Sequence, residues 1–195
     1  MSRQLGFLAL TLSFFLFQGH PVHGQTITDI VSSSGSPGEF DRNPFDYDIL
    51  LTAVVAADLA EALADPTIDV TVFAPNDLAF IRTARDLGYR GFSEEGAWNF
   101  LVGALTELGG DGGPIPVLTQ ILLYHVAPER LGPFQVIFSR EITTLQGGVI
   151  RPRIFRLRDN EPDLSDPYLF FPLDVQAENG VIHTINRVLI PIDIP

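Results

Sequence analysis

Two periodicities divide this chain, and their order limits the folds open to it. From Thr26 to Tyr124 apolar residues recur mostly at three- and four-residue spacing, the period of helices, around one short β run at Val70 to Ala74. From Phe134 onward the pattern is that of strands. Helices first and strands afterwards indicate an α+β domain, not a parallel α/β sheet in which the two alternate.

Thr26 to Ser33 predicts a short first helix, followed by a Gly/Pro/Ser-rich loop to Asn43. Asp46 or Asp48 is placed to cap a second helix running to about Ala64, with Leu50, Ala53, Val54, Ala57, Ala60 and Ala64 facing inward. Asn76 or Asp77 caps a helix through Arg85, and Ser93 opens another, with Glu94 and Glu95 at its positive end. Gly109 to Gly113 reads as a flexible connector and Pro114 to Tyr124 as one further helix. Strands are expected over Gln135–Ser139, Glu141–Leu145, Val149–Leu157, Tyr168–Gln176 and Val181–Ile190. Gln146-Gly147-Gly148 and Asn179-Gly180 supply the turns, the second being the strongest short hairpin signal known. The strand after it does not alternate cleanly, which predicts cover on both faces.

The first residues belong to a different kind of segment. One charge at Arg3, an apolar run from Phe7 to Phe17 and a polar stretch to Gly24 have the order of a secretory signal peptide over residues 1–24, leaving a single domain over 25–195. The apolar run falls short of the ~20 residues that span a bilayer, and Pro191 to Pro195 does not read as a lipid-anchor tail. No membrane insertion is expected once the leader is removed. The expected product is secreted and extracellular, the periplasm being the alternative in a Gram-negative bacterium.

Removal of Arg3 with the leader leaves 24 acidic against 11 basic residues, a net charge of −13. Nucleic acid needs a basic footprint that this chain lacks. With 0 cysteines there are no disulfides, and packing alone must hold an exported domain. No Asn-x-Ser/Thr sequon is present.

Three segments, in order and at domain-sized spacing, resemble the fasciclin domain family. Thr71 to Phe80 resembles its first homology box, Leu122-Leu123-Tyr124-His125-Val126 its tyrosine–histidine motif, and Asn179 to Pro191 its second box; Thr143 to Gly147 fits the strand before the middle hairpin. The resemblance implies a helical layer packed on a wedge of mostly antiparallel strands, an extracellular adhesion role and no general enzymatic activity. It also implies that Tyr124 and His125 are adhesion-motif residues, and that Asn76, Asp77, Asn179, Gly180 and His183 are structural. At Leu78 the first box departs from the family pattern, so the cap rests on Asn76 and Asp77. Glu161-Pro162-Asp163-Leu164 resembles an integrin-binding stretch of some members. It lies at the wrong place relative to the second box, where Leu173-Asp174-Val175 stands, and the assignment is not carried over.

The chemistry-bearing residues have plain readings beside these. Zinc needs three or four ligands; His125 and His183 are too few without cysteine, so no metal and no cofactor are expected. An amphipathic Tyr124 and His125 at a helix end suit a partly buried site whose polar tips need partners; Asp77 is a candidate partner for His125. Arg151, Arg153, Arg156 and Arg158 are the basic cluster. Simple alternation puts Arg151 and Arg153 on one face and Arg156 and Arg158 on the other, with Pro152 marking an edge strand. A solvated edge neutralised by the acidic Asp159–Asp166 loop is preferred there to contact with an anionic glycan. No Gly-x-Ser-x-Gly elbow is present. The sequence thus points to a non-enzymatic adhesion or matrix-associated domain whose partner is a cell-surface or matrix protein or glycan. The alternative is a soluble ligand-, calcium- or mineral-associated secreted protein.

Overall fold

The computed structural model describes residues 24–194, so the expected leader lies outside the described residues except for Gly24. Among these residues seven α-helices and seven strands follow, helices dominating the first two-thirds as expected, and the expected Gly109–Gly113 connector contains one 3-10 turn at Gly110–Gly112. They are α1 (Ile27–Ser32), α2 (Asp48–Ala56), α3 (Ala60–Ala64), β1 (Val70–Pro75), α4 (Asp77–Asp86), α5 (Glu94–Gly109), α6 (Pro114–Tyr124), β2 (Val126–Ala127), α7 (Pro133–Phe138), β3 (Ile142–Thr143), β4 (Val149–Arg153), β5 (Arg156–Arg158), β6 (Val175–Ala177) and β7 (Gly180–Ile185).

Two sheets form the wedge. The larger has the order β2-β1-β7-β6 and the smaller β3-β4-β5. β1 and β7, from opposite ends of the chain, pair in parallel from Val70↔Gly180 to Pro75↔Ile185; every other ladder is antiparallel. Both of these central strands are buried along their whole length. Val70, Val72, Ala74 and Ile182 enter one core with α1, α2 and α6, while Phe73 and Ile185 enter a second with Ile142, Ile150 and Leu157 of the smaller sheet. Residues that alternate along a strand thus feed two separate cores, which is why β7 shows no clean polar–apolar alternation. Among the described residues no helix is long and apolar enough to cross a membrane.

Several boundaries differ from the sequence expectation. The helix expected to run to Ala64 ends at Ala56; Asp58 adopts φ 57° and turns the chain before α3 restarts. Asp48 is the first helical residue of α2 rather than its cap. Gln135–Ser139 is not a strand. Pro133 presets the first helical φ, and the Gln135 Oε1 accepts the Gly132 N–H at 2.7 Å, so α7 forms with Val136 as its buried residue. Val149–Leu157 breaks at Ile154-Phe155, where Ile154 takes φ 60° and reverses the chain into a hairpin. Of Tyr168–Gln176, only Val175 and Gln176 join a ladder, while Tyr168 and Leu169 make single bridges. β7 stops at Ile185, and beyond it the Val188, Leu189 and Ile190 N–H groups are taken by side chains instead of a ladder: Thr83 Oγ1 at 3.0 Å, His125 Nε2 at 2.9 Å and Asp159 Oδ2 at 2.8 Å. Pro152 lies in the middle strand of the smaller sheet; β3 pairs only Val149 and Ile150, so the missing N–H falls beyond its end. The edge strands are β3 and β5.

Candidate functional site

The motif residues assemble into a buried frame, with backbone groups as their partners. Asn76 caps α4, its Oδ1 accepting from Ala79 N at 3.0 Å. Asp77 is not part of that cap. Its Oδ1 reaches out of the helix to accept from Ile49 N at 3.0 Å. Asn179 is fully buried at the β6–β7 reversal and ties it to α1 and to the end of α3: Oδ1 accepts from Ile27 N at 2.8 Å, and Nδ2 donates to Leu63 O and Asp65 O at 2.8 and 2.9 Å. The two turn residues are therefore Glu178 and Asn179, with Gly180 already in the ladder opposite Ala177 and Val70. Arg130 clamps the same reversal, donating to Gly180 O at 2.7 Å, Ala177 O and Glu178 O at 3.2 Å, and Asp69 Oδ1 at 2.6 Å. No local pattern marks Arg130, so sequence reasoning passed over it.

Tyr124 and His125 point inward. The Tyr124 hydroxyl donates to Val149 O at 2.8 Å, tying α6 to β4, and its ring lies in the core between the sheets. Burial pushes its phenol well above the usual range. His125 pairs through Nδ1 with Ile121 O at 2.7 Å and through Nε2 with Leu189 N. Because the Leu189 N–H can only donate, Nε2 is the bare nitrogen and Nδ1 carries the proton. Asp77 is not its partner. Burial lowers the His125 pKa to about 4. His183 is likewise enclosed, with Nε2 to Leu131 O at 2.7 Å and Nδ1 accepting from Asp174 N at 3.2 Å; burial lowers its pKa as well. An apolar cleft of about 410 Å³ beside α2 borders His125, whose ring nitrogens are both already spent.

The arginine cluster is where the structure departs furthest from the expectation. The β4–β5 register sets Arg151 opposite Arg158 and Arg153 opposite Arg156. Directly opposed residues share a face, so all four guanidiniums lie on one side of the hairpin rather than being split between two. Pro152 and Leu157 take the other side and are buried. Alternation failed because the reversal at Ile154-Phe155 carries none of the usual turn residues.

The expected neutralisation is also partial. Arg151 pairs with Glu141 at 3.0 Å and Arg156 with Asp166 at 3.6 Å, its guanidinium also bonding the Tyr168 hydroxyl and lying 5.1 Å from that ring's centre. Asp159 and Glu161 turn away, Asp159 to Ile190 N and Glu161 to Asp163 N and Ile194 N at 2.9 and 2.7 Å. Among the described residues Arg153 and Arg158 have no ion-pair partner. The face opens on a polar basin of about 1180 Å³ bounded on one side by the four arginines, Tyr168 and Arg187, with the acidic loop residues Asp159, Glu161 and Asp166 also in its wall. Ile154 and Phe155 stand exposed at its tip.

A second charged site lies at the other end of the helical layer. Asp46, Asp48, Asp77 and Glu94 are buried together, with Asp41 exposed beside them. Burial, followed by the proximity of Asp46 and Glu94, raises the Asp77 carboxyl to about 9; burial also raises Asp46 and Glu94. No local pattern marks this grouping, because its members come from a loop and three helix starts.

The model of the Fasciclin domain matches residues 45–191. The chain belongs to the fasciclin domain family. Among its relatives, Protein sll1483 of Synechocystis sp. is 32% identical over 145 residues, 74% of this chain and 67% of that protein. Uncharacterized protein sll1735 of the same organism is 28% identical over 145 residues, 74% of this chain and 89% of its own. A solved FAS1 domain pair from the insect cell adhesion molecule Fasciclin I matches in fold, with a TM-score of 0.55 at 14% identity over 87% of this chain. This chain covers 51% of that pair, about half its length. The α+β wedge is thus the fasciclin fold, and its first and second boxes meet in it as the parallel β1–β7 pair.

Proposed function

We propose that this fasciclin domain is an extracellular adhesion or matrix-associated binding domain, without catalytic activity, that meets an anionic glycan through the β4–β5 arginine face. Residues 1–24 would direct export, and 25–195 would be the exported domain. The observation that carries this reading is the pair of arginine–arginine oppositions. Like charges set directly across a ladder destabilise it, and here two such pairs stand together, incompletely neutralised, in a chain of net charge −12. A sulfate or carboxylate seated between them would relieve that repulsion through forked hydrogen bonds. The exposed Phe155 and the Arg156–Tyr168 stack add apolar surface for a sugar ring. Screening at physiological salt confines the long-range repulsion from the acidic remainder to about 8 Å. Support for a non-catalytic role comes from the two described histidines, whose ring nitrogens are all occupied within the core. Weak contacts of this kind gain strength when many copies are displayed together.

The test is retention of residues 25–195 on an immobilised sulfated polysaccharide. Retention is expected at low salt, falling as salt rises, and the variant carrying Arg151→Ser, Arg153→Ser, Arg156→Ser and Arg158→Ser is expected to flow through while melting normally. Equal retention of the two proteins, or none of either, would remove the arginine face from the contact.

A further inference from the structure

The acidic cluster under the Ser36–Asp48 loop has the makings of a cation site. Its carboxylates fall into two groups of three, Asp41, Asp46 and Asp48, and Asp48, Asp77 and Glu94, each with ligand oxygens within 4.8 Å of one another, and Asp48 belongs to both. Asp46, Asp48, Asp77 and Glu94 are only 5%, 2%, 0% and 4% exposed. Among the described residues no arginine forms an ion pair with any of them. Burying ionised carboxylates without a counter-charge is costly, and with no cation the cost is met by keeping Asp77 protonated, its carboxyl raised to about 9 by burial.

Part of the compensation is visible. Asp48, Asp77 and Glu94 are the first helical residues of α2, α4 and α5, where the positive ends of three helices meet. One oxygen of each accepts a backbone N–H, from Ser36, Ile49 and Arg42 respectively. These bonds fix the carboxylates in place and leave oxygens over. Two of those, Asp46 Oδ1 and Asp77 Oδ2, are buried and receive no hydrogen bond from any backbone or donor side chain among the described residues. Asp46 and Asp77 bond only to each other, as a carboxyl pair that needs a proton between them, and that proton is what a bound cation would replace.

We propose that this cluster binds a calcium ion, held by Asp46, Asp48, Asp77 and Glu94, with Asp41 at its solvent-facing mouth. The donors are all carboxylate oxygens, with neither His nor Cys among them, which suits a hard divalent ion over zinc or copper. Calcium accepts 6–8 oxygens in irregular geometry and takes the balance from waters or carbonyls, whereas magnesium demands a tight octahedron that donors gathered from a loop and three helices are not set to supply. The site lies apart from the arginine hairpin and does not rest on the glycan reading.

The experiment is a calorimetric titration of chelator-treated residues 25–195 with calcium chloride, alongside thermal melting in calcium or magnesium at equal ionic strength. One calcium per chain is expected, with a Kd of about 10⁻⁴ to 10⁻³ M, the range of extracellular modules, and a higher melting temperature in calcium than in magnesium. Asp46→Asn keeps the shape of the side chain and is expected to weaken binding at least tenfold. Asp41→Asn, at the exposed mouth, guards against loss of fold and is expected to weaken it several-fold. The four-serine hairpin variant is expected to bind calcium like the parent, which separates this result from the fate of the glycan contact. Absence of saturable heat, equal stabilisation by magnesium, or undiminished binding by both asparagine variants would each overturn the proposal.

Discussion

Gly180→Ala is expected to abolish the folded state, or to cost about 4 kcal/mol or more, the range reserved for disruption of a core. Gly180 stands where β7 meets both β6 and β1. A Cβ placed there would overlap the Val70 carbonyl oxygen and come within 2.9 Å of Ile27 Cδ1. The carbonyl belongs to the ladder itself and cannot swing aside as a flexible side chain would. Relief requires the parallel pair to separate at its first rung, where Asn179 also holds α1 and α3. Circular dichroism melting of the purified variant checks it. A melting temperature within a few degrees of the parent would mean that the pair is far more compliant than its packing indicates.

Tyr124→Ala is expected to cost about 3–5 kcal/mol, the usual range for removing a large buried aromatic. For a domain of this size that lowers the melting temperature by roughly 2–4 °C per kcal/mol. Tyr124→Phe keeps the ring and loses only the bond to Val149 O, an expected cost of about 1 kcal/mol. His125→Ala leaves the Leu189 N–H buried without an acceptor, at about 1–3 kcal/mol. Any loss of adhesion in the alanine variants should therefore track loss of stability. Lost adhesion at an unchanged melting temperature would instead make Tyr124 and His125 direct contacts.

His125 adds a dependence on pH whose sign follows from its pKa, lowered from the usual 6.5 to about 4 by burial. Between those values the unfolded chain binds a proton that the native one refuses. Stability from this residue is complete above pH 6.5 and drains away as pH falls toward 4, by about 3 kcal/mol in all. The raised Asp77 carboxyl works in the opposite direction over the same window. The informative quantity is therefore the stability difference between the parent and His125→Ala, measured by urea unfolding. It is expected to shrink from pH 7 to pH 4, and a constant difference would refute the neutral, locked imidazole.

What the sequence revealed and what it hid follow one division. The frame was legible because its residues act where they stand: Asn76 caps the helix it precedes, Asn179 sits at the reversal it announces with Gly180 on the first rung after it, and β7 reads as covered on both sides because it is. The charged sites were not legible, because each depends on where a distant or unmarked turn sends the chain. Ile154 adopts a positive φ that β-branched residues seldom take, so alternation was carried straight through a reversal and dealt the arginines to the wrong faces. Asp48, Asp77 and Glu94 share no local pattern; their meeting is a property of three helix starts. Even Asp77, singled out by its motif, was paired by guesswork with His125, whereas both settle on backbone groups that a sequence cannot place.

The pairing of β1 with β7 also sets the order in which the molecule can be built. Residues 70–75 leave the ribosome long before residues 180–185, and until the latter arrive the central strand lacks its longest partner and both cores lack a wall. Contacts of such wide separation form late and slowly. The nascent chain therefore stays open after its helices are made, and the two cores close together only when the second box arrives to pair with the first.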